Sequence, residues 1–178
     1  LDFQARNAVN ASEGALLPEG SIFEMGGRKY RKNSDVSLAD SATSDLGVAS
    51  LEPAFDAHYE HYGADGTGVT DSTAHLRRMV TWAMENKRWH DWGDGTEFLV
   101  SGRLWTNFVT NSADFKMRGG SVSITVDSSA TTFDYLFYME STAGANAIID
   151  VAFLDVNGQE RAASCFWLRH HGSWEGVA

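Results

Sequence analysis

The stretch His61-Tyr62-Gly63-Ala64-Asp65-Gly66-Thr67-Gly68-Val69-Thr70-Asp71-Ser72-Thr73-Ala74-His75-Leu76 decides how the rest of the chain is read. Its three closely spaced glycines end a short strand in a loop whose backbone conformations are closed to other residues. Asp71 or Ser72 then offers a side-chain oxygen to the orphan N–H groups of a helix start. Leu76, Met79, Val80, Ala83 and Met84 follow at i, i+3, i+4, i+7 and i+8 spacing, the stripe of an amphipathic helix. Arg77, Arg78, Thr81 and Glu85 fall on or near the outer side, and Asn86 is a natural stop. The spacing predicts a helix over 72–86.

Beyond the helix the rhythm changes. Residues 96–104, 115–118, 121–126, 135–139, 147–156 and 165–168 are short β-prone runs parted by Gly, Asn and Ser turns. At roughly 20–30 residues per repeat, residues 96–178 suit about three coils of a β-solenoid. No sequence repeat is visible. Upstream, residues 1–17 read as a weak helical arm, and Pro18-Glu19-Gly20 punctuates the chain. A β-hairpin is predicted over 21–31, turning at Gly26-Gly27. Its apolar residues Ile22, Phe23, Met25 and Tyr30 cover too small a face for a free-standing hairpin. It is expected to pack on something else, such as another chain. Residues 33–53 read as an extended connector ending at Pro53.

The pattern Tyr62-Gly63-Ala64-Asp65-Gly66-x-Gly68-Val69-x-Asp71-Ser72-Thr73-Ala74-x-Leu76 resembles the opening motif of the pectate-lyase-like parallel β-helix superfamily. In that superfamily the segment forms a strand, a glycine turn and the helix that caps the N-terminal end of the solenoid. The resemblance covers 61–86 by motif and 96–178 by rhythm. The chain departs from the pattern at His75, at Arg77-Arg78, and in the aromatic insert Trp89-His90-Asp91-Trp92. The resemblance implies a mainly β protein. Residues 1–53 would be an anchoring segment of arm, hairpin and connector. Residues 54–178 would form the capping helix and first coils of a right-handed parallel β-helix.

Composition narrows the classes. A net charge of −10 and the lack of a sustained Lys/Arg cluster argue against a nucleic-acid partner. The cluster Arg28-Lys29-Tyr30-Arg31-Lys32 reads as a solvated strand face. No stretch has the roughly 20 consecutive apolar residues of a membrane helix, so no membrane insertion is expected. With one cysteine, Cys165, there is no intrachain disulfide and no cysteine zinc site. In its apolar run it reads as an inert thiol. The chain opens on Leu1 without a signal-peptide pattern, read as a cropped or processed part of something longer.

Asp134, Glu140, Asp150 and Asp155 are the candidate glycosidase carboxylates, a pair being the minimum for that reaction. Asp150 and Asp155, five apart, are expected on opposite faces of a regular strand. Adjacent His170-His171, near Trp174, point opposite ways on a strand and suit a turn or subunit contact better than one metal. Asp65, Asp71, Asp91 and Asp94 lack the spacing of a calcium loop. Trp89, Trp92 and Trp105 suit burial at the open solenoid end better than sugar stacking. No catalytic, cofactor-binding or metal residue is assigned, and no cofactor is expected.

The resemblance implies either a secreted polysaccharide lyase or glycoside hydrolase, or a spike on the tail or head of a virion. The long segment ahead of the helix is similar to the anchoring segments of tailspikes. The expectation is therefore an extracellular virion component for host attachment, a homotrimer. It would hold other virion proteins through residues 1–53 and bind host surface polysaccharide. The resemblance also implies a depolymerase activity for a full spike, with its active site expected outside residues 1–178.

Overall fold

The computed structural model describes residues 18–35, 51–109, 115–141 and 147–170. The arm over 1–17 and most of the connector lie outside these residues. Strands β1 (Ile22–Met25) and β2 (Arg28–Lys32) pair antiparallel. Gly26 and Gly27 both have positive φ, 57° and 75°, as a two-residue hairpin turn requires. The end of the connector is a strand instead: β3 (Leu51–Pro53) pairs antiparallel with β2, Tyr30 beside Pro53 and Lys32 beside Leu51. The hairpin thus packs on its own chain. Tyr30 and Leu51 are buried and belong to the same apolar cluster as the rest of the body.

The body is a curled parallel sheet with one α-helix among the described residues. After β3 come β4 (Ala57–His58), a 3-10 turn (Tyr59–Tyr62), β5 (Thr67–Asp71) and α1 (Thr73–Glu85). Then follow β6 (His90–Asp91), β7 (Thr96–Val100), β8 (Trp105–Val109), β9 (Phe115–Val126), β10 (Phe133–Ser141), β11 (Ala147–Asn157) and β12 (Ala162–His170). The larger sheet runs β4-β6-β9-β7-β5, with β11 on the other edge of β9; the smaller runs β12-β10-β8. Every pair in both sheets is parallel. Met117 lies beside Ile149, and Tyr138 between Thr106 and Trp167. Lateral partners are therefore roughly 30 residues apart, within the span of solenoid repeats. The chain crosses the larger sheet on β9 and β11, and the smaller on β10 and β12, in alternation.

Between the sheets lie Trp92, Phe98, Val100, Phe115, Met117, Val122, Ile124, Val126, Leu136 and Phe137, all buried. Their rings meet edge to face, Trp92 with Phe98 at 5.4 Å and Phe115 with Phe137 at 5.6 Å, while Phe137 stacks on Phe166 at 4.9 Å. Such pairs add to plain area burial. Of the tryptophans weighed for sugar stacking, Trp92 and Trp105 are buried in this interior.

β9 joins two runs that the sequence reading kept apart. Phe115 and Met117 face inward, but so do Val122, Ile124 and Val126. The alternation changes phase at Gly119-Gly120. There the turn Gly93-Asp94-Gly95 presses on the strand: Gly120 N donates to Gly93 O at 2.7 Å and Ser121 N to Asp94 Oδ1 at 2.8 Å. A Cβ on Gly120 would lie 2.0 Å from that carboxylate oxygen, and one on Gly119 2.9 Å from the Gly93 carbonyl. Only glycine fits this approach. β11 inherits the shift, Val151 and Leu154 both packing on the core. Asp150 and Asp155 are consequently both exposed on the outer side. The expectation of opposite faces is corrected by this phase change, because a regular alternation does not run through the bend.

α1 buries Leu76, Met79, Val80, Ala83 and Met84, the stripe its spacing predicts, against the 3-10 turn, β4, β6, β8 and β9. Burial of Leu76, Met79, Val80 and Met84 stabilises by about 1.5–3 kcal/mol each. Its first turn is capped by Asp71, whose Oδ1 accepts from Thr73 N at 2.9 Å and Thr73 Oγ1 at 2.5 Å. Asp71 Oδ2 accepts from Ser101 Oγ at 2.5 Å. Ser72, the other candidate cap, instead accepts from Asp65 N at 2.9 Å. Asp71→Ala is expected to cost about 1 kcal/mol, the usual value of a lost cap, and Asp71→Asn much less. Urea unfolding of the two variants checks this.

Candidate functional site

A cleft of about 250 Å³ opens where the hairpin turn meets the first strands of the parallel sheet. Gly27, Arg28 and Lys29 form one wall, Phe55 and Asp56 the corner after β3, and His58, His61, Asp91 and Arg118 the floor. The floor follows from register. His58 lies beside Asp91, Asp91 beside Arg118, and Arg118 beside Asp150. Polar residues therefore stack in a row across β4, β6, β9 and β11.

Ion pairs order the cleft. Arg118 reaches Asp56 at 3.1 Å and Asp91 at 3.0 Å, and Arg28 bonds Glu60 at 2.6 Å. Burial works to raise the Glu60 pKa, but its bond to Arg28 and that residue's charge outweigh it and hold it low. The basic cluster of β2 is therefore a solvated face only in part, with Lys29 exposed. Arg28 is paired, Arg31 donates to Ala54 O at 2.9 Å and lies 3.5 Å from Glu52, and Lys32 is buried. Phe55 stands out as an apolar ring 55% exposed, with the Lys29 ammonium 6.0 Å from its centroid.

The two histidines cap the 3-10 turn reciprocally. His61 Nδ1 accepts from His58 N at 2.9 Å and His58 Nδ1 from Glu60 N at 3.2 Å. Both rings therefore need an unprotonated Nδ1, which leaves each hydrogen on Nε2. Burial, then the charges of His58 and Arg28, lower the His61 pKa to about 4. Burial and then Arg28 also lower that of His58. His61 is buried and its Nε2 has no well-formed hydrogen bond, although the Lys29 backbone lies near enough to favour the protonated ring.

The four aspartates weighed for calcium are each committed to turn bonds. Asp65 accepts from the backbone and hydroxyls of Thr67 and Thr70 and from Val69 N, which hold its pKa far below the ordinary value. Asp71 caps α1, Asp91 takes Gly93 N at 3.0 Å beside Arg118, and Asp94 holds the β9 bend. No group of three metal-binding side chains occurs among the described residues.

Among the carboxylates weighed for catalysis, Asp134 is exposed and 3.5 Å from Arg103. Asp150 and Asp155 are exposed on β11, and Glu140 lies on β10 in register with Phe108 and Arg169. Asp134 thus lies on the smaller sheet, and Asp150 and Asp155 on the last strand of the larger. His170 ends β12, while His171 and Trp174 lie outside the described residues. Burial pushes the Cys165 thiol up to about 12, so it carries no thiolate at neutral pH. No helix among the described residues is long and apolar enough to cross a membrane.

Sequence reading passed over the cleft. Its residues come from four segments that only the sheet register unites. The one local signal was His58-x-x-His61, whose spacing fits a reciprocal cap. No known family, curated protein or solved structure matches the chain.

Proposed function

We propose that the chain is the anchoring and opening part of a spike-type attachment protein that binds surface glycans, built on a right-handed parallel β-helix. The observation that carries this reading is the stacked parallel register: β9 and β11 pair along their whole length, as β10 does with β12. The glycine-turn-and-helix motif supports it, because α1 lies over the first strands where a solenoid needs its end covered. The separate antiparallel sheet β1–β3 ahead of that helix suits an attached segment better than a free secreted lyase. In this reading the protein acts outside the cell as part of a virion, and residues 1–53 contact the particle.

Such a spike would be a homotrimer. The hairpin no longer argues for this, since it packs on its own chain. The last strand of the larger sheet does: Ile148 and Ile149 are each 41% exposed and Phe153 is 59% exposed, apolar surface along one strand that a partner would bury. Sedimentation at micromolar concentration is expected to give a trimer, and Phe153→Ser a folded monomer with the parent's far-ultraviolet circular dichroism and a lower melting temperature. A stable monomer of the parent chain would remove the trimer from the proposal.

The proposed role is adhesion, with any depolymerase chemistry elsewhere in the spike. The chain is expected to release no reducing ends from capsule or lipopolysaccharide. Robust release would move the reading to the lyase or hydrolase class. Asp134, Glu140, Asp150 and Asp155 would then be the first residues to replace.

A further inference from the structure

We propose that His58 and His61 form an acid-opened latch that holds the hairpin β1–β2 against the body of the molecule. This goes beyond the attachment reading and does not depend on it. The antiparallel sheet of the hairpin shares no strand with the parallel sheets, so β2 meets the 3-10 turn through side chains. His61 is buried between them. The Tyr30 ring stands edge-on to it at 4.9 Å, and the Lys29 backbone faces its Nε2. Its Nδ1 accepts from His58 N at 2.9 Å. One neutral ring thus joins the hairpin to the turn. His58 completes the cap by accepting from Glu60 N at 3.2 Å, and Arg28 ties the hairpin to the same Glu60 at 2.6 Å.

Protonation reverses both Nδ1 contacts. A ring nitrogen that gains a hydrogen turns from acceptor to donor, and each would then face a backbone N–H. The charges around the pair do not compensate. Arg28 from β2 opposes both cations, Arg118 from β9 opposes His58, and the His58 charge opposes His61. Glu60 favours both cations and Asp91 on β6 favours that of His58, with Glu60 Oε2 3.7 Å from His58 Nδ1. Glu60 is already paired with Arg28, however, and Asp91 and Asp56 with Arg118. From α1, His75 and Arg78 meet the turn at the Tyr62 carbonyl, while Glu52 on β3 bonds Trp82 Nε1 at 3.2 Å. Burial, ahead of these charges, lowers the His61 pKa to about 4. An opened latch exposes rings that titrate near about 6.5. The latch therefore holds fully above that value, and each proton taken up below it favours the open form.

The test is hydrogen exchange of the full chain, read at single amides near about pH 7.5 and about pH 5.5 and corrected for intrinsic rates. His58 N and Glu60 N, bonded to the two rings, report the cap. Ala54 N, bonded to Lys29 O at 3.0 Å, reports the seam between β2 and β3. The amides of β9 report the body. The latch amides are expected to exchange faster than β9 at both pH values. Their opening constant should rise about tenfold at the lower pH, the factor for the His61 ring alone. His61→Asn keeps an acceptor without the titration and should cut that rise at least threefold; H58N/H61N should abolish it and His90→Asn leave it unchanged. The parent decides even where a variant fails to fold: latch amides that exchange no faster than β9, or an opening constant that changes less than twofold, would overturn the latch. A rise that survives H61N would place the acid-sensitive group elsewhere. A rise that H90N removes would make the opening global. Either result overturns the proposal.

Discussion

Replacing Val80 with aspartate is expected to lower the unfolding free energy by about 3–5 kcal/mol, the cost of an uncompensated buried charge, or to prevent folding. Val80 is fully buried at the centre of the α1 stripe, between the 3-10 turn and the first strands. A carboxylate there meets Leu76, Met79, Ala83 and Met84 and finds no solvent, so it either stays charged at high cost or takes up a proton. That loss is comparable to the whole stability of many small domains. Thr81, one residue on and only half-buried, is the control. Thr81→Asp should stay within about 0.5 kcal/mol, as surface substitutions do. Thermal melts by circular dichroism separate the two, and a V80D protein that melts with the parent would detach α1 from the core.

Mild acid is expected to destabilise the chain through its buried histidines. Burial lowers the His90 pKa to about 3 and, with the charges of His58 and Arg28, that of His61 to about 4. Unfolded, both titrate near about 6.5. Below that value the unfolded chain takes up protons that the native state refuses. Stability is therefore complete above the unfolded value and falls as the pH drops toward the folded ones. At pH 5 each ring accounts for about 2 kcal/mol by linkage, roughly 4 kcal/mol together, and His58 adds in the same direction. The geometry agrees with the sign. His90 Nδ1 accepts from Trp92 Nε1 at 2.7 Å, as His61 Nδ1 accepts from a backbone N–H, and protonation would destroy both bonds. Asp65, Asp71 and Glu60, with lowered values, lose their contributions only at lower pH. Urea unfolding between about pH 7.5 and 5 should show the fall. His61→Asn and His90→Asn keep an acceptor without the titration and should flatten the slope together. A parent protein equally stable at both ends of that range would exclude these histidines as the acid-sensitive groups.

The sequence was most legible where one local rule governs. The α1 stripe obeys the helical period, so Leu76 to Met84 could be read without knowing what they touch. Gly26-Gly27 could be read because few residues tolerate two successive positive φ angles. Reading failed where the cause lies far along the chain. β3 escaped notice because Leu51-Glu52-Pro53 is short and contains a proline, and only its pairing with β2 makes it a strand. β8 was missed because Trp105 to Val109 follows a run already read as one strand. The phase change in β9 originates at Asp94, and that of β11 is inherited from β9 in turn. Asp150 and Asp155 were misplaced for this reason. The cleft was invisible in the same way, since Arg28, His61, Asp91 and Arg118 meet only through register.

The parallel stacking also gives the molecule a gradient of local stability along its axis. Each strand answers mainly to its neighbours, so local unfolding free energies follow position in the stack. At one end α1 and the β3 corner cover the first strands, and Leu51, Leu76 and Val80 are fully buried. At the other, among the described residues, β11 pairs with β9 alone and β12 with β10 alone, while Ile149 and Phe153 face solvent. Amide protons of β11 and β12 should exchange by fraying, those of β7 and β9 by global opening. Structure is thus lost from the uncovered end inward, and whatever docks on β11 gains its binding energy together with the ordering of the last strands.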